Sequence, residues 1–177
     1  MTAVPPQSYR QTDSPPNSPA QRKTRIALAV EGAIAATEFN QLCLRAGKPP
    51  RDLVKLTKAL DHSLFCVTAR KVSNRELVGY VRACGDGVFN AEILDLIVYP
   101  REEQGEAIKK QLILRLKREV RRTMPKCAIS AFALPEDLVL LLRANFEKDP
   151  DGIRAMALPL GGWADQPALY LVHGEPD

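Results

Sequence analysis

The segment 93–120 constrains the fold more than any other part of the sequence. Its first residues, Ile93–Val98, are nearly all apolar, which indicates a strand that is covered on both faces. Pro100 ends this strand, and a turn containing Gly105 follows. A helix with one buried stripe comes next, because apolar residues recur every four positions at Ile108, Leu112, Leu116 and Val120. Since the first amides of a helix have no partners within it, such a strand–turn–helix can form an anion site.

The remaining apolar patterns predict an α/β domain with a mixed sheet flanked by helices. Ahead of the central segment they indicate, in order, strand 26–30, helix 35–46, helix 51–62, and strands 64–70 and 76–83. After the central helix, which runs to about residue 122, they indicate strand 127–133, helix 136–145, and strands 153–158 and 168–172. Because three consecutive antiparallel strands precede a crossover helix, the sheet must contain both antiparallel and parallel pairs.

Turn and cap residues mark the borders of these elements. Gly47 is expected to end the first helix, and Pro49-Pro50 to start the second. Ser73-Asn74 supplies the turn of a hairpin, and Gly85-Asp86-Gly87 leads into a longer strand at 88–99. In strand 76–83, strict alternation predicts that the side chains divide between the two faces. One face has Leu77, Gly79, Val81 and Ala83, and the other has Val78, Tyr80 and Arg82.

The two ends of the chain differ from its middle. Residues 1–25 are rich in Pro, Ser, Gln and Thr and nearly free of aliphatic side chains. Such a segment cannot bury enough apolar surface to offset the entropy of ordering it, so we predict a disordered tail. Residues 26–160 form the predicted domain. Residues 161–177, which include Trp163 and Tyr170, are expected to be an extension that either adds one strand or covers a partner surface.

The charge distribution disfavours nucleic-acid binding. The formal net charge is +4, but residues 1–25 contain four Lys or Arg residues and one acid, so +3 of it lies in the tail and +1 in the rest. A domain this close to neutral lacks the electrostatic footprint of a nucleic-acid binder. No apolar run approaches the roughly 20 residues of a membrane span, and no signal peptide is apparent.

The cysteines and histidines predict neither a metal site nor a disulfide framework. The four cysteines, Cys43, Cys66, Cys84 and Cys127, lie far apart in apolar contexts and indicate buried free thiols. Free thiols favour a reducing compartment, so we expect a cytoplasmic protein. With only two histidines and no Cys pair, a zinc site is not expected.

Several motifs in the correct order resemble the GCN5-related N-acetyltransferase (GNAT) family. Val98-Tyr99-Pro100 and the segment 104–112 are similar to the acetyl-CoA motif of that family, a V-x-P step followed by Q/R-x-x-G-x-G/A and an amphipathic helix. Residues 76–82 resemble its L-V-G-x-x-R strand, and 86–91 lead into its central strand. Residues 39–64 and 149–153 are similar to the corresponding parts of cyanobacterial and chloroplast members. The resemblance covers nearly all of 26–159 and implies a mostly antiparallel mixed sheet and an acetyltransferase.

The sequence departs from the family pattern at several positions. One extra residue separates Pro100 from Gln104. The two small residues of the cofactor loop fall on Ala107 and Lys109, and Ala133-Leu134-Pro135 replaces a polar residue after the fifth strand. The tyrosine that protonates the leaving thiolate falls on Leu141, which has no proton to give. Asn145 occupies a glycine position before Phe146, a replacement that a left-handed turn tolerates.

The resemblance implies a set of site residues. The end of the central strand would bind the pantetheine arm through Leu96, Ile97 and Val98. The pyrophosphate of acetyl-CoA would lie on the loop and first helical turn, at Gln104, Gly105, Glu106, Ala107, Lys109 and Lys110. For deprotonating the amine, the candidate bases are Asp95 and Glu92, predicted to point to opposite faces. Either residue can equally be a structural carboxylate, and Gln104 and Gly105 can be an ordinary cap.

The crossover helix is strongly basic. Its cationic residues are Lys109, Lys110, Arg115, Lys117, Arg118, Arg121, Arg122 and, just beyond it, Lys126. A solvated outer face is the favoured interpretation. The alternatives are contact with the ribose phosphate of CoA near Lys109 and Lys110, or a patch for a nucleic acid or an acidic partner.

Two classes of function stay open. The first is an acetyl-CoA-dependent N-acetyltransferase that acts on a protein amine, either a lysine side chain or an N-terminus. The second is a degenerate member that has lost acetyl-CoA and serves as a protein-binding, regulatory or structural subunit. The residues at Ala107, Lys109, Leu134 and Leu141 favour the second class. The sequence leaves open whether the chain forms a homodimer or joins a complex.

Overall fold

The computed structural model describes residues 24–148. Its elements, in chain order, are β1 (Ile26–Glu31), α1 (Ala36–Arg45), α2 (Leu53–Asp61), β2 (Phe65–Lys71), β3 (Leu77–Gly85), β4 (Asn90–Val98), α3 (Gly105–Thr123), β5 (Ala128–Ala131), a 3-10 turn (Pro135–Asp137) and α4 (Leu138–Arg143). The tail up to residue 23, the strands predicted at 153–158 and 168–172, Trp163 and Tyr170 lie outside the described residues.

One mixed sheet forms the centre of the fold, as the sequence predicts. Its strand order is β1-β2-β3-β4-β5, and every neighbouring pair is antiparallel except β4–β5, which is parallel. α1 and α2 pack on one face, where Phe39, Leu42 and Tyr80 are buried. α3 and α4 pack on the other face around Leu112 and Leu116. The α/β class with a mostly antiparallel sheet flanked by helices is therefore confirmed.

The loop between α1 and α2 is built from two local signals. Gly47 adopts a φ of 72°, and the amides of Gly47 and Lys48 donate to the carbonyls of Leu44 and Cys43. This pattern is a Schellman motif, so Gly47 ends α1 as predicted. α2 begins at Leu53, later than predicted, because the carboxylate of Asp52 accepts the Lys55 amide at 2.8 Å and caps the helix there.

A bulge in β3 makes the predicted alternation wrong at one end of the strand. Ala69 pairs with Gly79 and Arg70 pairs with Leu77, so Val78 is an extra residue without a partner on β2. Val78 consequently packs on the α3 side and Leu77 on the α1 side, opposite to the strict alternation of the sequence. An inserted residue reverses the facing of all residues beyond it.

Three further predictions needed correction. β4 begins at Asn90 and not at Val88, because the carboxylate of Asp86 accepts the amides of Val88, Phe89 and Asn90 and folds them into a turn. These hydrogen bonds lower the pKa of Asp86 to about 2. β5 and α4 are shorter than predicted, since Phe132 lies beyond the strand and Pro135–Asp137 forms a 3-10 turn. Cys43 and Cys66 are buried, but Cys84 and Cys127 are only half-buried.

No helix among residues 24–148 is long and apolar enough to cross a bilayer. Within the same range, no group of three or more metal-ligating side chains comes together.

Gly79 sets how closely α3 approaches the sheet. A Cβ atom at this position would lie 3.0 Å from Ile108 and 3.1 Å from Leu112, both on α3. Because the predicted phosphate site includes the first turn of α3, this contact sets the distance between that site and the sheet.

We therefore expect Gly79→Ala to lower the free energy of unfolding by about 1–3 kcal/mol, the usual cost of overpacking a core. Urea denaturation followed by circular dichroism measures the change. Gly32→Ala is the matched control, because a Cβ there meets nothing within 4 Å. Equal effects of the two substitutions would contradict the argument.

Candidate functional site

A cleft opens where β4 and β5 diverge. The two strands pair only from Asn90 to Ile93 on β4 and from Ala128 to Ala131 on β5. Beyond Ile93, no strand of the described range lies beside β4 on this edge, although β4 continues to Val98. The resulting cleft has a volume of about 80 Å³, which is room for a few atoms only.

The cleft reaches both faces of the sheet. On one side it is lined by residues of the α1–α2 loop, Lys48 and Arg51, and on the other by Ile113, Asp137 and Leu141. The predicted pantetheine-binding residues Leu96 and Ile97 lie on its wall, and Val98 packs in the adjacent core. Two molecules that enter from opposite faces could therefore meet at the bulged part of β4.

Asp95 forms the bulge that shapes this cleft. β3 and β4 shift register there, since Tyr80 pairs with Ile97 and Arg82 with Leu94, leaving Asp95 and Leu96 opposite a single residue. Asp95 has a φ of 56°, in the left-handed region that costs most residues free energy. Bulges and strained backbone of this kind are common beside active sites.

Two arginines bind the carboxylate of Asp95. Arg51 Nη1 and Nη2 donate to it at 3.1 and 2.5 Å, and Arg82 Nε donates at 2.6 Å. Burial alone would raise the pKa of Asp95, but the hydrogen bonds and charges of Arg51 and Arg82 outweigh it and lower this pKa below the ordinary carboxyl value. A carboxylate held in this way is a weak base, and its contacts tie the α1–α2 loop to β3 and β4.

Glu92 has a different environment. It makes no ion pair with any residue between 24 and 148 and is half-buried. Burial raises its pKa, an effect that the charge of Arg82 partly offsets. The prediction that Glu92 and Asp95 point to opposite faces is wrong, because the bulge reverses the alternation. Glu92 pairs across the sheet with Cys84, whose Sγ lies 3.0 Å from Arg82 Nη1, and Asp95 contacts the same arginine.

The start of α3 has free amides, although that of the predicted residue Gly105 is not among them. The Gly105 amide donates to the Glu102 carbonyl at 2.9 Å, and the Gln104 side chain donates to the Thr24 carbonyl. The backbone amides of Gln104, Glu106 and Ala107 make no backbone hydrogen bond within the described chain. An anion site at this helix start would therefore use positions 106 and 107, with the amide of position 104 also free.

Lys109 bridges α3 to the turn before α4. Its Nζ lies 2.7 Å from the Asp137 carboxylate, which is buried and also lines the cleft, and 4.0 Å from that of Glu106. Lys110, one position on, is exposed. The ammonium of Lys109 therefore stands between the helix start and the cleft, where an anionic ligand would compete with Asp137.

Two apolar side chains occupy positions where the family pattern has polar groups. Leu134 and Leu141 both line the cleft, and Leu141 is buried. Neither can supply a proton. Asn145 adopts a φ of 60°, as predicted for a glycine position, and the Phe146 amide donates to the Leu141 carbonyl.

The basic residues of α3 do not all face solvent. Lys117 is buried, and its ammonium donates to the Ala144 carbonyl and lies 4.9 Å from the centre of the Phe146 ring. Lys109 and Arg115 are half-buried. The exposed members are Lys110, Arg118, Arg121, Arg122 and Lys126. The interpretation as a solvated face therefore holds for these five, and Lys117 instead fixes the end of α4.

Three of four further charged residues of the site belong to no sequence motif. Lys48, Arg51, Arg82 and Asp137 all contribute to the cleft or its support. Of these, Arg82 alone belongs to a motif, as the last residue of the segment 76–82 that resembles the L-V-G-x-x-R strand. Their partners are distant in the chain; Arg51 and Asp95, for example, are separated by 44 positions.

No protein-family model matches the chain. Its relatives include a Pyropia yezoensis protein named uncharacterized N-acetyltransferase ycf52, 35% identical over 133 residues that cover 74% of this chain and 75% of the relative. GCN5-related N-acetyltransferase 1, chloroplastic, of Arabidopsis thaliana is 33% identical over 122 residues, 67% of this chain and 59% of the relative. Histone acetyltransferase TAP1 of Glycine max is 30% identical over 142 residues, 75% of this chain and 60% of the relative.

Solved structures with the same fold carry related descriptions. A GNAT family acetyltransferase from Streptococcus pneumoniae superposes with a TM-score of 0.60 at 19% identity, covering 77% of this chain and 98% of the other. A GNAT family N-acetyltransferase from Escherichia coli in complex with CoA gives a TM-score of 0.56 at 19% identity, covering 74% and 72%. At this level of identity the similarity establishes the fold.

Removing the charge of Asp95 should destabilise the protein, because it leaves two largely buried guanidinium groups without their counter-ion. We expect Asp95→Asn to lower the free energy of unfolding by about 3 kcal/mol at neutral pH. Urea denaturation measures it, with Glu92→Gln as the control that removes an unpaired carboxylate.

The same loss should depend on pH. Because the folded pKa of Asp95 is lowered, its contribution is complete above the unfolded carboxyl pKa of about 4 and disappears as the pH falls through the folded value. The difference between wild type and variant should therefore shrink in acid. A difference that stays constant down to pH 2 would contradict the assignment.

Proposed function

The chain belongs to the GCN5-related N-acetyltransferase family, and we propose that it transfers the acetyl group of acetyl-CoA to a protein amine, either a lysine side chain or an N-terminus. The observation that carries this proposal is the cleft between β4 and β5, which reaches both faces of the sheet. It would let the thioester approach from the α3 side and the amine from the α1–α2 side.

The residues around the cleft fit acetyl-CoA. The amides of Glu106 and Ala107 would bind the pyrophosphate, with Gln104 and Gly105 forming the cap beneath them. When the cofactor binds, the Lys109 ammonium would leave the Asp137 carboxylate and pair with a phosphate oxygen. The exposed Lys110 would approach the ribose phosphate. The pantetheine arm would lie along the free edge of β4 at Leu96, Ile97 and Val98. When bound, acetyl-CoA supplies an acetyl group activated as a thioester.

Transfer would be direct. The amine nitrogen attacks the thioester carbonyl, a C–N bond forms, the C–S bond breaks, and the CoA thiolate leaves. Before the neutral amine attacks, the proton of the acceptor ammonium would pass through water to Glu92, which is half-buried and is not held in an ion pair. Asp95 is the poorer base, because both arginines stabilise its charged form. Since Leu141 cannot protonate the thiolate, water or the acceptor itself would do so.

A protein acceptor is supported by the relative from Glycine max that is named a histone acetyltransferase. The four free cysteines are consistent with a reducing compartment, and we propose the cytoplasm. The Arabidopsis relative is named chloroplastic, so an organelle is the alternative.

Calorimetric titration with acetyl-CoA tests the cofactor site. We expect binding, weakened about tenfold or more in Lys109→Gln, because one charge-assisted contact to phosphate is lost. Lys126→Gln, an exposed lysine beyond the far end of α3, should bind as the wild type does.

A double variant separates a phosphate ligand from a merely structural lysine. Lys109→Gln with Asp137→Asn removes both charges of the ion pair. If Lys109 only neutralises Asp137, the double variant regains full affinity; if Lys109 binds phosphate, its affinity stays low.

An absence of heat up to millimolar acetyl-CoA would support the competing hypothesis of a degenerate protein-binding subunit, which the apolar Leu134 and Leu141 favour.

The role of Glu92 is tested by rate and pH dependence. We expect Glu92→Gln to lower kcat/KM about 100-fold, the usual contribution of a general base. In the wild type, activity should rise with pH as Glu92 ionises, at a pKa above the ordinary carboxyl value, and this limb should be missing in the variant. Glu147→Gln, an exposed carboxylate beyond α4, should behave as wild type. An unchanged profile in Glu92→Gln would remove Glu92 from the mechanism.

A further inference from the structure

The α1–α2 side of the cleft carries an excess of positive charge. Lys48 and Arg51 line it directly, and Arg82 lies behind Asp95. Asp95 is the one carboxylate among the lining residues on this side. Even when Glu92 is counted as ionised, the three cations exceed the two carboxylates. A positively charged amine that enters from this side is therefore repelled unless it brings negative charge with it.

Lys48 is placed at the cleft by the end of α1. The Schellman motif at Gly47 turns the chain, and the Lys48 amide donates to the Cys43 carbonyl at 2.9 Å. The side chain lines the cleft, but its ammonium makes no ion pair or hydrogen bond with any residue from 24 to 148. Because no carboxylate of the described chain pairs with this ammonium, its charge is available to a ligand.

Arg51 is held more firmly. Its backbone exchanges two hydrogen bonds with the Asn40 side chain, at 2.8 and 2.9 Å, and its guanidinium lies 5.2 Å from the centre of the Phe39 ring. Two of its nitrogens donate to Asp95, yet 29% of the side chain is still exposed. Arg51 therefore presents a fixed positive group at the mouth of the cleft, a geometry suited to a carboxylate.

We propose that the acceptor amine of this protein lies next to a carboxylate, so that the preferred acceptor is an acidic peptide whose Asp or Glu side chains contact Lys48 and Arg51. This inference rests on the proposed acetyl transfer and adds the substrate class to it. The acidic residue would compensate the charge of the cleft and hold the amine at the bulge of β4, where the thioester arrives.

The test uses the full chain, acetyl-CoA and two peptides of the same sequence except at the residues that flank their amines. Each peptide has a free N-terminus and one lysine, flanked by Asp in one peptide and by Asn in the other, and mass spectrometry locates the acetyl group. β-Alanine and β-alaninamide, which differ only in the carboxylate, form a parallel pair of small amines. The variants are Lys48→Glu and, as the matched control with the same charge change, Lys58→Glu, an exposed residue of α2 that does not line the cleft.

We expect the Asp peptide to have a kcat/KM at least tenfold higher than the Asn peptide, mainly through KM, with the ratio falling as salt is added. Lys48→Glu should bring the ratio to about one, and Lys58→Glu should leave it unchanged. Equal values for the two peptides, or a preference that survives in Lys48→Glu, would overturn the inference while leaving acetyl transfer intact.

The small amines test whether the acceptor that brings the carboxylate is a peptide or a small molecule. Preference for β-alanine over β-alaninamide, with neither peptide acetylated, would support the anionic acceptor and refute the protein substrate. If no acceptor is acetylated and acetyl-CoA does not bind, the proposed function fails and the inference fails with it.

Discussion

The carboxylate of Asp95 is the interaction on which the rest of the site depends. It joins the α1–α2 loop through Arg51 and β3 through Arg82, and it does so from a residue in a left-handed backbone conformation. The two guanidinium groups provide the free energy that keeps this conformation populated. Without this left-handed conformation, β4 would continue as a regular strand and would not diverge from β5 to form the cleft.

The two sides of the cleft obtain their positive charge from different groups. On the α3 side, free amides and Lys109 provide positive charge, and Asp137 pairs with Lys109. On the opposite side, Lys48 and Arg51 provide charge at close range. A donor with phosphates and an acceptor with a carboxylate would each meet a positively charged surface.

The sequence predicts those parts of the fold that depend on local periodicity. The stripe of α3, the Gly47 cap and the turn at Asn145 follow from residues within one or two helical turns. The bulges at Val78 and Asp95 do not, because an inserted residue is defined only by the partner strand. For the same reason the relative facing of Glu92 and Asp95 could not be derived from their spacing. The roles of Arg51 and Asp137 depend on pairs formed across the fold, and no sequence pattern marks them.

The order of the strands has a consequence for how the molecule assembles. Along the sheet the strands lie in the same order as in the chain, so each antiparallel pair joins neighbours in sequence. The parallel β4–β5 pair has four residue pairs and requires all of α3 to cross the sheet first. Short loops close at the smallest entropic cost, so we expect the β2–β3 and β3–β4 hairpins to form early, and the β1–β2 and β4–β5 pairs, whose connections contain helices, to form late. The cleft is therefore among the last parts to be completed, and substitutions in it should change the unfolding rate more than the folding rate.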